Sequence, residues 1–170
     1  IYDPFGTVHQ LRIDYTRIDG APNQWLATVV IDENTENPIT PTLSVGNIQS
    51  ADNTYVVEFD NEGRLLQVSN GAGGLDAAEN LTIDVAFDIP ETSIPVDPTT
   101  GLPGEQATQE FQIDIGTVAE MTESTTQAAS PSTNKMIEQD GYGLGYLEDF
   151  RIDQSGVITG IYSNGTNRAL

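Results

Sequence analysis

The short unit Asp-x-x-Gly, placed between alternating segments, restricts the fold of this chain more than any other sequence feature. The unit occurs at Asp3 and Gly6, at Asp60 and Gly63, and at Asp153 and Gly156. Asp favours the first position of a type I turn, and Gly at the fourth position takes the left-handed conformation that a bulged hairpin needs. The repeated unit therefore predicts a chain folded into β-hairpins.

Alternation of apolar and polar residues predicts strands between these turns. The clearest case runs from Leu81 to Ile89, where every second residue is a large apolar one. Further strands are predicted at three places within residues 1–31, and at 43–45, 55–59, 64–66, 111–115, 147–152 and 157–162. The sequence shows no convincing amphipathic helix. It predicts an all-β fold, a barrel or sandwich of short antiparallel strands.

Three other segments are predicted as connections or turns. Residues 90–104 contain four prolines, which predicts a surface excursion with a turn at 97–101 instead of a central strand. Residues 119–135 are rich in Ser, Thr, Ala and Gln, a composition typical of a linker, and we place a domain boundary there. Asn164 and Gly165 favour a two-residue primed turn near the C-terminal end.

The charge of the chain excludes two classes of partner. The net charge is −20 with six basic residues; these are scattered, so no basic patch for nucleic acid or for an anionic membrane is expected. Cysteine is absent, which excludes disulfides and thiolate metal sites. No apolar run approaches the roughly 20 residues of a membrane-spanning helix. Because the chain starts within a predicted strand and ends abruptly at Leu170, we expect it to be a fragment of a longer protein.

The ionisable residues do not form a catalytic pattern. His9 is the only histidine, and no nucleophile motif accompanies it, so we expect it to be a structural or a surface residue. Asp14, Asp84, Asp88 and Asp114 fall on the predicted solvent-facing sides of strands, where solvation accounts for them better than a glycosidase pair does. We therefore assign no catalytic or cofactor-binding residue and expect the protein not to be an enzyme.

Calcium binding is the stronger alternative to a purely structural role. Oxygen ligands of the kind that calcium prefers lie in the loops at 32–34, 36–37 and 60–62. None of these loops has the full spacing of a calcium-binding loop, and turn geometry alone accounts for the Asp-x-x-Gly unit. We assign no metal ligand, but a calcium-stabilised adhesin or carbohydrate-binding β-sandwich stays open as an alternative function.

A cluster of glycines and tyrosines precedes the last predicted hairpin. Gly141, Gly143 and Gly145 flank Tyr142 and Tyr146. A phosphate-binding glycine loop would follow a strand and open a helix, and neither neighbour fits that context. The cluster is therefore predicted to be a backbone crossover between domains.

Two patterns at the ends of the chain point to one family. The C-terminal pattern has the form Q-D/N-G-Y-x-x-G-x-L and then I-D-x-x-G-x-I-x-G-x-Y-S-N-G. Its positions are Gln139, Asp140, Gly141, Tyr142, Gly145, Leu147, Ile152, Asp153, Gly156, Ile158, Gly160, Tyr162, Ser163, Asn164 and Gly165. The N-terminal pattern is Y-D-x-x-G-x-x-H-x-L with a later N-x-W. Its positions are Tyr2, Asp3, Gly6, His9, Leu11, Asn23 and Trp25. The first pattern resembles the return segment of bacterial flagellar rod and hook proteins, and the second is similar to the opening of the outer domain of hook proteins.

This resemblance implies a second, partial β-domain and a mechanical function. Residues 1–135 would form the outer β-domain of a hook protein, and residues 136–170 would return into an inner β-domain that is incomplete in this chain. Hook subunits polymerise into a curved tube, a universal joint that transmits motor torque to the filament. The implied location is a bacterial flagellum, outside the cell or, in a spirochaete, in the periplasm.

The resemblance also implies which partners the chain has. They would be other hook subunits, with no nucleic acid, membrane insertion or small-molecule substrate. The isolated fragment is expected to be a monomer, because the helical segments that drive assembly in this family lie outside it. The residues assigned to structural turns and to the crossover are Asp3, Gly6, Asp60, Gly63, Gly141, Tyr142, Gly145, Asp153, Gly156, Asn164 and Gly165.

Overall fold

A computed structural model describes residues 1–33, 38–45, 48–50, 52–70, 75–76, 80–121, 124–128 and 140–170. These residues form twelve strands and one short 3₁₀ helix, Glu91–Ser93, so the predicted all-β fold is confirmed. The strands are β1 (Leu11–Arg17), β2 (Gln24–Ile31), β3 (Thr42–Val45), β4 (Ile48–Gln49), β5 (Thr54–Phe59), β6 (Leu65–Ser69), β7 (Leu75–Asp76), β8 (Asn80–Asp88), β9 (Thr108–Thr117), β10 (Leu147–Ile152), β11 (Ile158–Tyr162) and β12 (Asn167–Ala169). Within the described part of the chain, no helix has the length and apolar character needed to cross a membrane.

The chain divides into two compact units. The terminal unit consists of Ile1–His9 with Lys135–Leu170, and the central unit consists of Gln10–Asn134. The sequence prediction grouped residues 1–9 with the residues up to 135, whereas their contacts place them with the C-terminal segment. They form a loop closed by an isolated bridge between Tyr2 and Val8, where the sequence had predicted a strand.

Two antiparallel sheets make up the central unit. One has the strand order β1-β2-β5-β6-β7, and the other has the order β4-β3-β8-β9. The longest pair is β8 with β9, in which Ile83 lies opposite Ile113. Among the described residues no pairing joins the two edge strands of either sheet. Of the two predicted architectures, the open sheets therefore fit a sandwich and not a closed barrel.

The core of the central unit comes from alternate residues of its strands. In β8 the buried and partly accessible residues alternate from Leu81 to Phe87, as the period of two predicted. The buried apolar side chains of the two sheets include Ala27, Val29, Ile31, Leu43, Val45, Tyr55, Val57, Phe59, Leu65, Val68, Leu81, Ile83, Val85, Phe87 and Ile115. Each large aliphatic side chain buried in this way contributes about 1.5–3 kcal/mol. The central unit thus has a core of its own.

The proline-rich excursion has the predicted turn. The Gly101 N–H donates to the Asp97 carbonyl (2.8 Å), and Val96 pairs with Pro103 in an isolated bridge. Ile94 is buried and ties the excursion to the unit that carries it. Most other residues of the excursion are exposed, in agreement with a surface position.

The structure differs from the predicted linker at residues 119–135. Thr125 and Gln127 donate their backbone N–H groups to the carbonyls of Ile115 and Gly63 (3.0 and 2.9 Å), so this part is attached to the central unit. A composition of Ser, Thr and Gln supplies hydrogen-bonding groups as well as flexibility, and composition alone does not distinguish the two. The last residues of the predicted linker lie outside the described part of the chain.

The turn at Asn164 and Gly165 is not the predicted two-residue primed turn. That turn needs positive φ at both residues, but of the two only Gly165 has it (φ 80°). The turn is wider and starts at Tyr162, whose carbonyl accepts from the Gly165 N–H (2.9 Å) and whose N–H donates to the Thr166 carbonyl (3.0 Å). Oδ1 of Asn164 accepts from the Thr166 N–H (3.2 Å), which stabilises the wider turn.

Candidate functional site in the terminal unit

All three Asp-x-x-Gly units fold into the same turn. In each, the Gly N–H donates to the Asp carbonyl (3.0–3.1 Å), and the Asp N–H donates to the carbonyl of the residue after the Gly (2.9–3.1 Å). The three glycines have left-handed φ values of 81–87°. In each turn, Oδ1 of the Asp also accepts two backbone N–H groups (2.8–3.0 Å). The turn therefore uses the Asp side chain as well as the backbone.

The hydrogen-bond partners of the loop carboxylates matter for the hypothesis that these loops bind calcium. Oδ2 of Asp60 accepts from Nε of Arg64 (2.8 Å), and the hydrogen bond from the Arg64 backbone lowers the pKa of Asp60. Oδ1 of Asp32 accepts from a backbone N–H. Within the described residues no three His, Asp or Glu side chains are grouped to hold a metal ion. The candidate ligands Asn34 and those at 36–37 lie outside the described residues.

The four strand carboxylates considered for catalysis have separate partners. Asp84 accepts from Nε2 of Gln112 (2.7 Å), and Asp88 accepts from the Thr108 hydroxyl (2.9 Å). Asp14 accepts from the guanidinium of Arg12, and Asp114 accepts from the Gly116 N–H. These carboxylates take part in local hydrogen bonds along the strands and not in a shared cleft.

His9 is buried against Asp3 in the terminal unit. Nε2 of His9 lies 3.3 Å from Oδ2 of Asp3, and both side chains are almost inaccessible to solvent. The other oxygen of Asp3 holds the turn that begins there. The pair thus fixes the loop of residues 1–9, which fits the structural role predicted for His9.

The glycine-rich segment that was predicted as a crossover, residues 141–146, and the last turn meet in the terminal unit. Nδ2 of Asn164 donates to the Gly143 carbonyl (2.8 Å), and the Ser163 N–H donates to the Tyr146 carbonyl (2.9 Å). A Cβ atom on Gly145 would lie 2.5 Å from Cγ of Asn164, which is shorter than a van der Waals contact. Glycine therefore allows the two halves of the C-terminal motif to approach each other.

The loop of residues 1–9 reaches the same crossover. A Cβ atom on Gly6 would lie 2.6 Å from Cβ of Leu144, and one on Gly143 would lie 3.1 Å from Cε1 of Tyr2. The Asp-x-x-Gly turn of residues 1–9, the glycine-rich segment and the last turn thus meet at one junction. Gly141 and Tyr142, which were also assigned to the crossover, come just before the junction in the sequence and are exposed.

The sheet of this unit, with the order β10-β11-β12, has a face that carries mostly apolar side chains, together with Arg168 opposite Gly160. A bulge at Glu148 shifts the register between Leu147 and Asp149. Because side chains alternate along a strand, Leu147 would otherwise point away from Phe150 and Ile152. The bulge places these three apolar residues on the same face, which the sequence pattern alone did not reveal.

Gly160 lies at the centre of the apolar face. A Cβ atom on it would be 2.9 Å from Cδ1 of Leu147, 3.2 Å from Cε2 of Tyr162 and 3.4 Å from Cδ1 of Leu170. Side chains from β10, β11 and the chain after β12 thus close over the glycine. A single glycine inside a strand pattern is the sequence signal for such a close approach.

The apolar face is nevertheless open to solvent. Five of its large apolar side chains are 39–65% exposed: Leu147, Phe150, Ile152, Ile158 and Leu170. Most of the exposed large apolar residues in the described part of the chain belong to the terminal unit. Contiguous exposed apolar residues mark surfaces that interact with protein, membrane or ligand. The face is therefore the candidate functional site.

Comparisons with known proteins find relatives among proteins of the bacterial flagellum. Residues 1–142 match the family model described as the flagellar basal body protein FlaE D2 domain. The chain is 38% identical over 169 residues to the flagellar hook protein FlgE of Treponema pallidum, covering 99% of this chain and 35% of that protein. It is also 38% identical over 170 residues to FlgE of Borreliella burgdorferi, covering 100% of this chain and 33% of that protein. FlgE of Helicobacter pylori is 28% identical over 173 residues, with 19% of its length covered.

The chain spans about a third of the length of the Treponema and Borreliella relatives. The family model nevertheless covers the larger part of the chain, from its first residue into the crossover at Tyr142. The chain belongs to the family of the flagellar basal body protein FlaE D2 domain.

Proposed function

We propose that this chain is part of a structural subunit of the bacterial flagellar hook. In this proposal the subunits polymerise into the curved tube that transmits motor torque to the filament, and the chain has no enzymatic role. The observation that carries the proposal is the apolar face of the β10-β11-β12 sheet, on a chain that is 38% identical to two hook proteins. Its location is then the flagellum, which lies outside the cell or, in a spirochaete, in the periplasm.

The two units have different places in this proposal. The central unit, with two sheets and its own core, is the outer domain. The terminal unit is part of an inner domain, which segments of the longer protein outside this chain complete by covering the apolar face. The fraction of the relatives' length that the chain covers leaves room for such segments. A sheet with one exposed apolar face is only marginally stable until that face is packed.

The outer surface of the central unit suits contacts that slide. The strand carboxylates Asp84, Asp88 and Asp114 bond to neighbouring polar groups on the outer sides of the sheets. Bending of a tube requires neighbouring subunits to move past each other, and polar interfaces of modest size permit this better than large apolar ones. An acidic surface also opposes non-specific association.

The proposal is tested by replacing residues on the two sides of β10. Phe150→Ser and Ile152→Ser alter the apolar face, whereas Arg151→Ser, a control in the same strand, alters the opposite face. The full-length protein carrying each change would be produced in cells that lack their own hook gene. We expect the two apolar replacements to shorten or abolish hooks in electron micrographs and to reduce swimming, and the control to retain both. Normal hooks in all three strains, or no hooks with the unaltered gene, would overturn the proposal.

A further inference from the structure

A short segment of the central unit connects its two sheets. Residues 124–128, here named the clasp, follow the four-stranded sheet and reach the turn between β5 and β6 in the five-stranded sheet. At one end the Thr125 N–H donates to the Ile115 carbonyl of β9 (3.0 Å), and at the other the Gln127 N–H donates to the Gly63 carbonyl (2.9 Å). Between them Thr126 pairs with Arg64 in an isolated bridge. The clasp therefore has hydrogen bonds to both sheets.

Side chains add to both attachments. The Thr125 hydroxyl donates to the Ile115 carbonyl (2.7 Å), next to the bond from its backbone. At the other end the indole N–H of Trp25 donates to Oε1 of Gln127 (3.2 Å). Trp25 is the only tryptophan of the chain, so its fluorescence reports on this contact.

Glycines allow the clasp to lie against the sheets. Gly63 has a left-handed φ of 81°, and a Cβ atom there would overlap the Gln127 carbonyl. Gly116 has a φ of 126°, and its Cβ atom would overlap Ser124. A side chain at either glycine would push the clasp away from the sheet that it contacts.

The clasp is held by polar contacts and not by burial. None of its residues is buried, whereas β8 contributes Leu81, Ile83, Val85 and Phe87 to the core. Segments with few buried apolar contacts open at a lower free energy than core strands do. The clasp also lies at the C-terminal end of the central unit, shortly before the chain passes into the terminal unit at Lys135.

We propose that the clasp is a latch that opens reversibly while the sheets of the central unit stay folded. Opening adds residues 124–128 to the segment that leads to the terminal unit, at up to about 3.3–3.6 Å of length per residue. The opening is a property of this chain by itself. Its use, as extra length between the two units when a hook bends, rests on the proposed function.

Two measurements on the purified 170-residue chain test the latch. Hydrogen exchange compares the amides of Thr125 and Gln127 with those of β8, and urea titrations compare tryptophan emission with far-ultraviolet circular dichroism. We expect hydrogen exchange in the clasp to be at least about tenfold faster than in β8. We also expect the tryptophan emission to shift to longer wavelength at a lower urea concentration than the one at which the circular dichroism signal of the strands is lost. Equal protection in both places, together with coincident urea transitions, would overturn the proposal.

Gly63→Ala and Gly20→Ala form a matched pair of variants. Both glycines have a φ of 81°, so both changes introduce the same backbone strain. A Cβ atom on Gly20 has no neighbouring atom within 4 Å, whereas one on Gly63 overlaps Gln127. We expect Gly63→Ala to shift the tryptophan emission without urea, and Gly20→Ala to keep the emission of the unaltered chain. Equal spectra for the two variants would contradict the latch.

Gln127→Ala is a second variant in case Gly63→Ala does not fold. It removes the acceptor of the Trp25 indole N–H and retains the backbone. We expect exchange at the Thr125 amide to become faster while exchange in β8 is unchanged. Normal hooks in all the strand replacements described above would overturn the proposed function, and with it the use of the latch in a hook, but not the opening of the latch. The two proposals can therefore fail separately.

Discussion

At the scale of single residues, three turn carboxylates contribute to how the stability of the protein depends on acid. Hydrogen bonds from the Thr99 N–H, from the Arg64 N–H and from the Ser155 hydroxyl lower the pKa values of Asp97, Asp60 and Asp153. The folded-state pKa of each lies below its unfolded value of about 3.9. Their contribution is therefore present above about pH 4 and is lost as the pH falls through the folded-state pKa.

Asparagine at these three positions should weaken the acid dependence of stability. The triple variant Asp60→Asn, Asp97→Asn and Asp153→Asn has no carboxylate to protonate in these turns. We expect its free energy of unfolding, measured by urea titration, to fall less steeply than that of the unaltered protein below about pH 4. Parallel curves for the two proteins would contradict this prediction.

Two adjacent phenols, one buried and one partly buried, should make the central unit sensitive to alkali. The hydroxyls of Tyr15 and Tyr55 lie 3.3 Å apart, and burial raises both pKa values above the ordinary value. Because the folded state favours the neutral phenols, their contribution is complete below about pH 10 and is lost as the pH rises through the folded-state pKa values. We expect Tyr55→Phe to lower the free energy of unfolding by about 0.5–1.5 kcal/mol at pH 7, as measured by urea titration. Above pH 10 the free energy of unfolding of this variant should fall less steeply than that of the unaltered protein.

At the scale of elements, the Asp-x-x-Gly turn serves two purposes. It reverses the chain at every occurrence, but only some of its glycines also admit a neighbouring segment. A Cβ atom on Gly6 would lie 2.6 Å from Cβ of Leu144, whereas one on Gly156 has no atom within 4 Å. The two glycines have similar φ values, 82° and 87°, so the backbone strain of an alanine is the same at both.

Alanine at Gly6 should therefore cost more than alanine at Gly156. The excess is the cost of overpacking against the crossover, about 1–3 kcal/mol. Nuclear magnetic resonance signals of the terminal unit, followed in urea, would give the stability of that unit for each variant. An equal loss in Gly6→Ala and Gly156→Ala would show that the contact with Leu144 carries no energy.

At the scale of the whole molecule, the two units differ in what holds them together. The central unit buries one side of each sheet, whereas the sheet of the terminal unit leaves its apolar face exposed. Ile83→Ala removes a fully buried side chain of the central unit, and we expect it to destabilise that unit by about 2–5 kcal/mol. Phe150→Ser should leave the stability of the central unit unchanged, because Phe150 belongs to the terminal unit. Nuclear magnetic resonance signals of β8 in the central unit, followed in urea, measure both effects; a loss of similar size in Phe150→Ser would contradict the division.

The sequence alone determined the longer strands and most of the turns of this protein, but not the two-residue strands β4 and β7. Alternation along β8 and the Asp-x-x-Gly units depend on the geometry of a few neighbouring residues, so a local pattern is sufficient to predict them. The resemblance at the two ends also predicted the family. The turn at Asn164 was one exception: it is wider than predicted, and the Asn164 side chain also bonds to Gly143, a residue far away in the sequence.

Only the tertiary structure decided which segments meet. It placed residues 1–9 in the terminal unit, and it attached residues 124–128 to both sheets. The bulge at Glu148, which turns Leu147 onto the apolar face, was likewise not visible in the sequence. These features depend on contacts between distant residues, which composition and period do not encode. A polar segment such as Thr125 to Gln127 has the same composition whether it is a linker or a latch, and the difference lies in the carbonyl groups that it reaches.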